Sequence, residues 1–356
     1  MDTAKRSASL RGVCPPIFQL GTGAAAGDAV YWGGTKNGTG GAFNDMVQVD
    51  LITGFLGAGK TTFLRRYVRY LVERGHNVCI LENDFGAVNV DAMLVQDLLG
   101  GRCDLETISG GCDCDTHQRR MRTKLIAMAM RGFDRVVVEP SGIFDVDEFF
   151  DVLRDDPLDR WYQLGSVIAI VDALLPDPLS PQAEYVLASE TANAGRVLFS
   201  RTQLAGETRT RAAEEHLTRA LDACKCSRRF APGEILTKDW AELTDADLAD
   251  IAACGYRQAS CEKLHFDEHE AFASLCFLEQ KLTLEQLQSA AGRLFADPAC
   301  GRVLRVKGFA PAADGWLELN ATAAGQTLAP IPQGQDVLIV IGEGLNKAAI
   351  EQQLHR

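Results

Sequence analysis

The chain of 356 residues reads as an α/β protein: a mostly parallel sheet flanked by helices, followed by a smaller α+β domain. Three observations predict this. Short apolar runs alternate with helical periodicity from Val47 to about residue 225, as parallel strands joined by crossover helices require. A glycine-rich loop joins the first apolar run to the first helical stripe. In the last hundred or so residues the order changes to a helix, three strand-like runs and a closing helix, and the length itself exceeds what one hydrophobic core usually organises.

Taken in order, residues 1–46 hold nine of the 33 glycines with little apolar periodicity and read as a flexible extension. Gly21 to Gly27 imitates a dinucleotide fingerprint, but no strand precedes it and no helix follows. Val47–Thr53, Asn77–Leu81, Arg135–Val138, Ser166–Val171 and Arg196–Phe199 read as strands. After Lys60, the residues Phe63, Leu64, Tyr67, Tyr70 and Leu71 fall at i, i+1, i+4, i+7 and i+8, one stripe of a helix that Gly75 ends. Residues 205–224 form an amphipathic helical pattern, and 226–262 a mixed connection. Thr283 and Gln286 have the spacing of a capping box before Leu284, Leu287, Leu294 and Phe295, and Pro298 stops that helix. Val303–Phe309, Trp316–Leu319 and Val337–Ile341 read as strands and Asn346–Leu354 as a helix. The resulting division is an extension (1–46), a first domain (47–225), a connection (226–262) and an α+β domain (263–356).

Composition narrows the function classes. Apolar residues at 46% and charged residues at 24% are those of an ordinary globular chain. A net charge of −12 argues against nucleic acid, whose phosphates need clustered lysine and arginine. No apolar run approaches a membrane span, and the N-terminus has no apolar signal segment, so a cytoplasmic location is expected. Eleven cysteines without an export signal read as reduced thiols, metal ligands or small core residues.

The strongest signal is Gly54-Phe55-Leu56-Gly57-Ala58-Gly59-Lys60-Thr61, with Thr62 next, which has the spacing GxxxxGK[ST] between a strand and a helix. Its backbone N–H groups would turn toward a β-phosphate and the helix N-terminus would add its dipole. Lys60 would reach the β- and γ-phosphates, and Thr61 would offer its hydroxyl to Mg²⁺. Such a loop needs a carboxylate from a neighbouring strand end. Glu139, ending Phe133–Glu139, is placed to hold the water shell of Mg²⁺, and Gly142 in Glu139-Pro-Ser-Gly142 to sense the γ-phosphate. The alternatives are a glycine-rich turn without ligand and a plain strand-end turn.

In these motifs the chain resembles the CobW-like GTPases, metallochaperones and metal-insertase activators of the SIMIBI class of P-loop proteins. The resemblance runs through TGFLGAGKTTFL, NDFGAVNVD (Asn83–Asp91), GGCDCD (Gly110–Asp115), EPSG (Glu139–Gly142), IVDA (Ile170–Ala173), VLRVKGF (Val303–Phe309) and VLIVIGEGL (Val337–Leu345). It implies a GTPase domain, a small C-terminal domain, GTP hydrolysis with Mg²⁺ and handling of a divalent transition metal such as Zn²⁺, Co²⁺, Ni²⁺ or Fe²⁺. It also implies a client metalloprotein, and a homodimer is possible.

The chain departs from that family twice. Where the family has CxCC, this sequence has Cys112-Asp113-Cys114-Asp115, leaving two thiolates and the Asp115 carboxylate as a mixed, harder ligand set; Cys103 and His117 are spare candidates, and a degenerate loop is the alternative. Where the family resembles [NST]KxD, this sequence has Ser200-Arg201-Thr202-Gln203. A carboxylate accepts two hydrogen bonds from guanine, whereas Gln203 offers one acceptor and a donor, so base preference would relax; Arg201 can stack on the purine in place of lysine. His265 and His269, four residues apart, and Cys224 with Cys226 are weaker candidates that read as solvated or structural, and Cys79, Cys254, Cys276 and Cys300 as core residues.

The sequence therefore points to a GTPase coupling nucleotide state to metal binding and delivery. Lys60, with Glu139 or Asp84 ordering water, carries the hydrolysis. Residues 83–91 and 110–115 are expected in loops after strands flanking the phosphate-loop strand, from which γ-phosphate would act on Cys112 and Cys114. Three rivals stay open: a metal-binding or partner-docking protein with a degenerate nucleotide site, a nucleoside triphosphatase with relaxed base specificity using ATP, and a small-molecule kinase using ATP.

Overall fold

A computed structural model of the chain describes residues 46–84, 94–109, 114–140, 142, 146–264, 272–331 and 334–355, with the backbone alone described at 83–84, 109 and 114–117. The chain divides into a unit of Met1–Ala42 and one of Phe43–Arg356, and all the described residues belong to the second.

Its first half is a seven-stranded sheet in which every described pairing is parallel. The strands are β1 (Val47–Thr53), β2 (Val78–Asp84), β3 (Cys103–Ser109), β4 (Arg135–Glu139), β5 (Tyr162–Asp172), β6 (Arg196–Ser200) and β7 (Ile235–Leu236), in the order β3-β2-β4-β1-β5-β6-β7. Helices α1 (Lys60–Glu73), α2 (Cys114–Ala129), α3 (Val146–Arg154), α4 (Leu158–Trp161), α5 (Pro181–Ala192), α6 (Thr202–Ala223) and α7 (Asp245–Ala252) connect or follow them. The apolar runs are continuous because the central strands are covered on both faces. In β5, Val167, Ala169 and Val171 enter one core while Ile168 and Ile170 enter the other. The predicted stripe of α1 is buried in full: Phe63, Leu64, Tyr67, Tyr70 and Leu71. Behind it, the Tyr67 hydroxyl donates to Asp50 Oδ2 at 2.8 Å and Arg135 donates to the same oxygen at 2.5 Å, a buried network tying α1 to β1 and β4.

The second half is a five-stranded antiparallel sheet, β11-β10-β9-β12-β8, built from β8 (Ala273–Leu278), β9 (Arg302–Ala312), β10 (Gly315–Thr322), β11 (Gly325–Ile331) and β12 (Val337–Glu343). Helices α8 (Leu284–Ala296) and α9 (Lys347–Leu354) cover one face, where Leu287, Ala290 and Leu294 meet Val306, Leu319 and Val340. The capping box forms as the sequence predicts: the Thr283 hydroxyl accepts from the Gln286 N–H and the Gln286 side chain accepts from the Thr283 N–H.

Three features differ from expectation. Residues 226–262 are more than a connection: they supply β7, which pairs with β6, and α7, whose Leu248 and Ile251 join the core around α1. Strands β3, β8 and β11 are additional to those the sequence predicts. Finally, β2 and β3 do not flank β1, because β4 lies between β1 and β2, and Cys114 and Asp115 begin helix α2 rather than lying in a loop. Among the described residues no helix is long and apolar enough to cross a membrane.

Candidate nucleotide site

Because the first sheet is parallel, the carboxyl ends of β1, β4, β5 and β6 open on one edge, the edge where α/β sheets bind ligands. The loop Gly54–Gly59 follows β1 there and delivers the chain into α1. Lys60 is buried and its Nζ donates to the Gly54 carbonyl at 2.7 Å, which holds the ammonium under the loop. Thr61 Oγ1 donates to Glu139 Oε1 at 2.8 Å, across the β1–β4 pairing in which Leu51 opposes Val138. A hydroxyl and a buried carboxylate side by side beneath a phosphate loop are the hard oxygen donors that Mg²⁺ takes, so the residues present fit that ion.

Gly142 closes this corner. A Cβ added to it would lie 2.8 Å from the Leu56 backbone N and 2.9 Å from Lys60 Nζ, so only glycine allows the turn after β4 to touch the loop and its lysine together. The sequence placed Glu139 and Gly142 on the neighbouring strand end, and the geometry brings both to Lys60 and Thr61. Asp84 ends β2 on the same edge, where Glu82 pairs with Glu139.

On the other side, Ser200 ends β6 opposite Asp172, the last residue of β5. Arg201 follows with a left-handed φ of 57°. Its guanidinium donates to Asp172 with one amino group and to the Gly57 carbonyl with the other at 3.0 Å, so it is committed to the loop and not presented as a free purine platform. Burial pushes the Asp172 carboxyl above its usual pKa, outweighing the opposing pull of Arg201. Gln203 is exposed in the first turn of α6.

Two residues near the loop escaped sequence reasoning. Asp172 appeared only within the resemblance; its signal was a carboxylate ending a strand adjacent to β1. Trp240 lies just past β7, its ring 3.4 Å from where a Gly59 Cβ would be and edge-on to Phe63 at 5.6 Å between centroids. Arg66 donates to the carbonyls of Trp240 and Leu243, fastening this segment to α1. Reading 226–262 as a connection hid it.

The transition-metal candidates fare unevenly. Cys112, His265 and His269 lie outside the described residues, as do the side chains of Asp84, Cys114, Asp115 and His117. Cys103 begins β3, about 20 Å of strand from Ser109 at its other end, and the segment with Cys112 beyond Ser109 lies outside the described residues. Cys224 and Cys226 are buried in the core, and Cys261 sits beside them, its thiol pushed well up by burial and by Cys226. Among the described residues no three His, Cys, Asp or Glu side chains are arranged to hold a metal ion. Cys79 and Cys300 are fully buried, burial raising the Cys79 thiol to about 12, while Cys254 and Cys276 are half-buried.

Comparison with known proteins adds to this geometry. Residues 48–228, about half of the chain, match the family model described as CobW/HypB/UreG, nucleotide-binding domain. The zinc chaperone YjiA of Escherichia coli is 33% identical over 171 residues, 45% of this chain and 51% of its own. The zinc chaperone YeiR of the same organism is 31% identical over 131 residues, 36% of this chain and 39% of its own. The zinc-regulated GTPase metalloprotein activator 1 of Schizosaccharomyces pombe is 27% identical over 166 residues, 45% of this chain and 40% of its own. The chain thus spans about half the length, or less, of the curated relatives it matches.

Proposed function

The chain belongs to the CobW/HypB/UreG family by its nucleotide-binding domain, and from that premise we propose that it hydrolyses GTP and uses the cycle to bind a divalent transition metal and hand it to a client metalloprotein. The observation that carries the reading is the Thr61–Glu139 hydrogen bond beneath a phosphate loop whose lysine is already held in place. Thr61 and Glu139 would hold Mg²⁺, which supplies charge neutralisation on the phosphates when bound. Lys60 offsets charge developing on the transferred group, and Gly142 lets the β4 turn approach it. Glu139 or Asp84 orders the attacking water. Gly54–Gly59 and Thr62 line the phosphates, and Ser200, Arg201 and Gln203 border the base.

The metal is cargo, and zinc is favoured because the relatives are named zinc chaperones. We assign it to Cys112, Cys114 and Asp115. Thiolates shed protons to coordinate, so affinity weakens as pH falls. The reading includes a cytoplasmic location, where thiols stay reduced, and a domain boundary near residue 263.

One observation favours a variant of this reading. Gln203 stands where a carboxylate would accept two bonds from guanine, which supports a nucleoside triphosphatase with relaxed base choice that also uses ATP.

Hydrolysis of GTP and ATP in parallel, with and without stoichiometric Zn²⁺, tests the proposal. GTP turnover that responds to zinc is expected, and no turnover of either nucleotide overturns the enzymatic reading. Zinc titration of wild type and Cys112→Ser/Cys114→Ser, each with GDP and with a non-hydrolysable GTP analogue, locates the cargo. Equal stoichiometry and affinity in both proteins would remove it from this motif.

A further inference from the structure

The phosphate loop is touched from outside its own domain. Gly57, at φ +79°, has Arg305 of β9 against its Cα: a Cβ there would lie 3.3 Å from Arg305 Cδ and 3.8 Å from Cγ and Nε. Arg305 Nε donates to Asn320 Oδ1 on β10 at 3.1 Å, which fixes the guanidinium from the second sheet. Among the described residues Arg305 forms no ion pair, and Asn320 holds Nε while its terminal amino groups donate to nothing.

The surroundings say what such a cation is for. In a chain of net charge −12, three cations meet at one loop: Lys60 beneath it, Arg201 on the Gly57 carbonyl, Arg305 on the Gly57 Cα. Arg201 is neutralised by Asp172. Half-buried and without a carboxylate among the described residues, Arg305 is free to pair with an anion from solution, and a guanidinium fork fits phosphate oxygens in pairs. The end of the nucleotide it reaches follows from Leu56, the neighbour of Gly57, whose backbone N lies against Gly142 on the side assigned to the terminal phosphate.

We propose that Arg305 binds the terminal phosphate of the bound nucleoside triphosphate, so that the second domain senses the nucleotide directly through one side chain. The inference rests on the phosphate-site reading above. It makes Asn320 a positioning residue: by holding Nε it leaves the two terminal amino groups to donate.

The test is calorimetric binding of GDP and of a non-hydrolysable GTP analogue to wild type, Arg305→Ala, Arg305→Lys, Asn320→Ala and Lys60→Ala. In Arg305→Ala the preference for the triphosphate over the diphosphate falls roughly ten- to a hundredfold, the worth of a charge-assisted pair of hydrogen bonds. Arg305→Lys recovers part of it, and Asn320→Ala lowers it less but in the same direction. A merely structural role would weaken both nucleotides alike and leave the preference unmoved. An unchanged preference in Arg305→Ala, while Lys60→Ala loses both nucleotides, overturns this inference and leaves the phosphate site standing. If Arg305→Ala does not fold, an unchanged preference in Asn320→Ala overturns it instead. Failure of wild type to bind either nucleotide overturns both readings.

Discussion

The carboxyl edge of the first sheet and the second sheet are built on opposite terms. At the first, buried charge is concentrated: Lys60, Glu139 and Asp172 are all sequestered within one corner, and Gly57, Gly59 and Arg201 adopt left-handed backbone. In the second, helix starts are capped by Thr283 and Asn346, and the core under α8 and α9 is aliphatic with one cysteine and one phenylalanine. The second domain has left-handed residues of its own, Glu279 and Lys281, and one buried pair, Lys307 with Glu318, so the contrast lies in the gathering of buried charge and left-handed backbone at one loop. Residues at that loop should therefore govern activity, and those of the second core stability.

The largest separation is expected from Lys60→Ala. Turnover falls by roughly a thousandfold or more, because the loop loses the cation facing the phosphates, while the urea midpoint stays near that of wild type. Steady-state hydrolysis and urea titration on one preparation check both halves, and wild-type turnover would break the contrast.

The converse is Leu294→Ala. Leu294 is 1% exposed in the core of the second domain, and its truncation costs about 2–4 kcal/mol with nucleotide affinity retained. Denaturant unfolding beside nucleotide titration measures the two. Loss of affinity in the folded variant would mean that the second domain's packing supports the site as a whole.

Alkaline titration separates the halves by chemistry. Burial holds Tyr67 and Tyr162 above the ordinary tyrosine value of 10.0 in the folded protein, and residues 263–356 contain no tyrosine. Their contribution is intact below about pH 10 and is lost as pH rises above it, because the unfolded chain ionises there while the native chain does not. Each removes about 1.4 kcal/mol per pH unit beyond that point. Urea titrations at about pH 8 and about pH 11, with proteolytic fragments mapped at each, should show the first domain opening first.

The smallest effect concerns base choice. Gln203→Asp should raise the GTP-to-ATP preference several-fold, about 1 kcal/mol, through a restored pair of acceptors. Competition titrations decide it, and an unchanged ratio would pass the task of reading the base to the Trp240 segment.

Legibility in the sequence follows the same contrast. The phosphate loop was legible because its glycines, lysine and threonine are contiguous, and the capping box because its two residues lie three apart. What stayed hidden depends on distant partners. Strand β3 carries Asp104 and Glu106, which look like loop residues until Lys124 and Arg131 of α2 and its C-terminal turn pair with them. Strand β11 is an exposed edge with Pro330, so no apolar alternation marks it. The placing of β4 between β1 and β2, and the reach of Arg305 to Gly57, exist only once the sheets have formed.

That strand order sets the range over which nucleotide and cargo can communicate. The end of β3, from which the Cys112 motif departs, is three strand spacings from the end of β1, or about 15 Å. Across such a gap a unit charge at one end changes the energy of a unit charge at the other by about 0.3 kcal/mol in water, and salt screens it beyond about 8 Å. A terminal phosphate and a divalent ion each carry about two charges, so the field between them would be worth about 1 kcal/mol in water before screening, and more through the protein. A mechanical route for the proposed coupling would run sideways along the sheet to the ends of β2 and β3, where Glu139 pairs with Glu82 and Asp84 with Ser109. A coupling carried in that way keeps its strength as salt is raised, whereas an electrostatic one would fade.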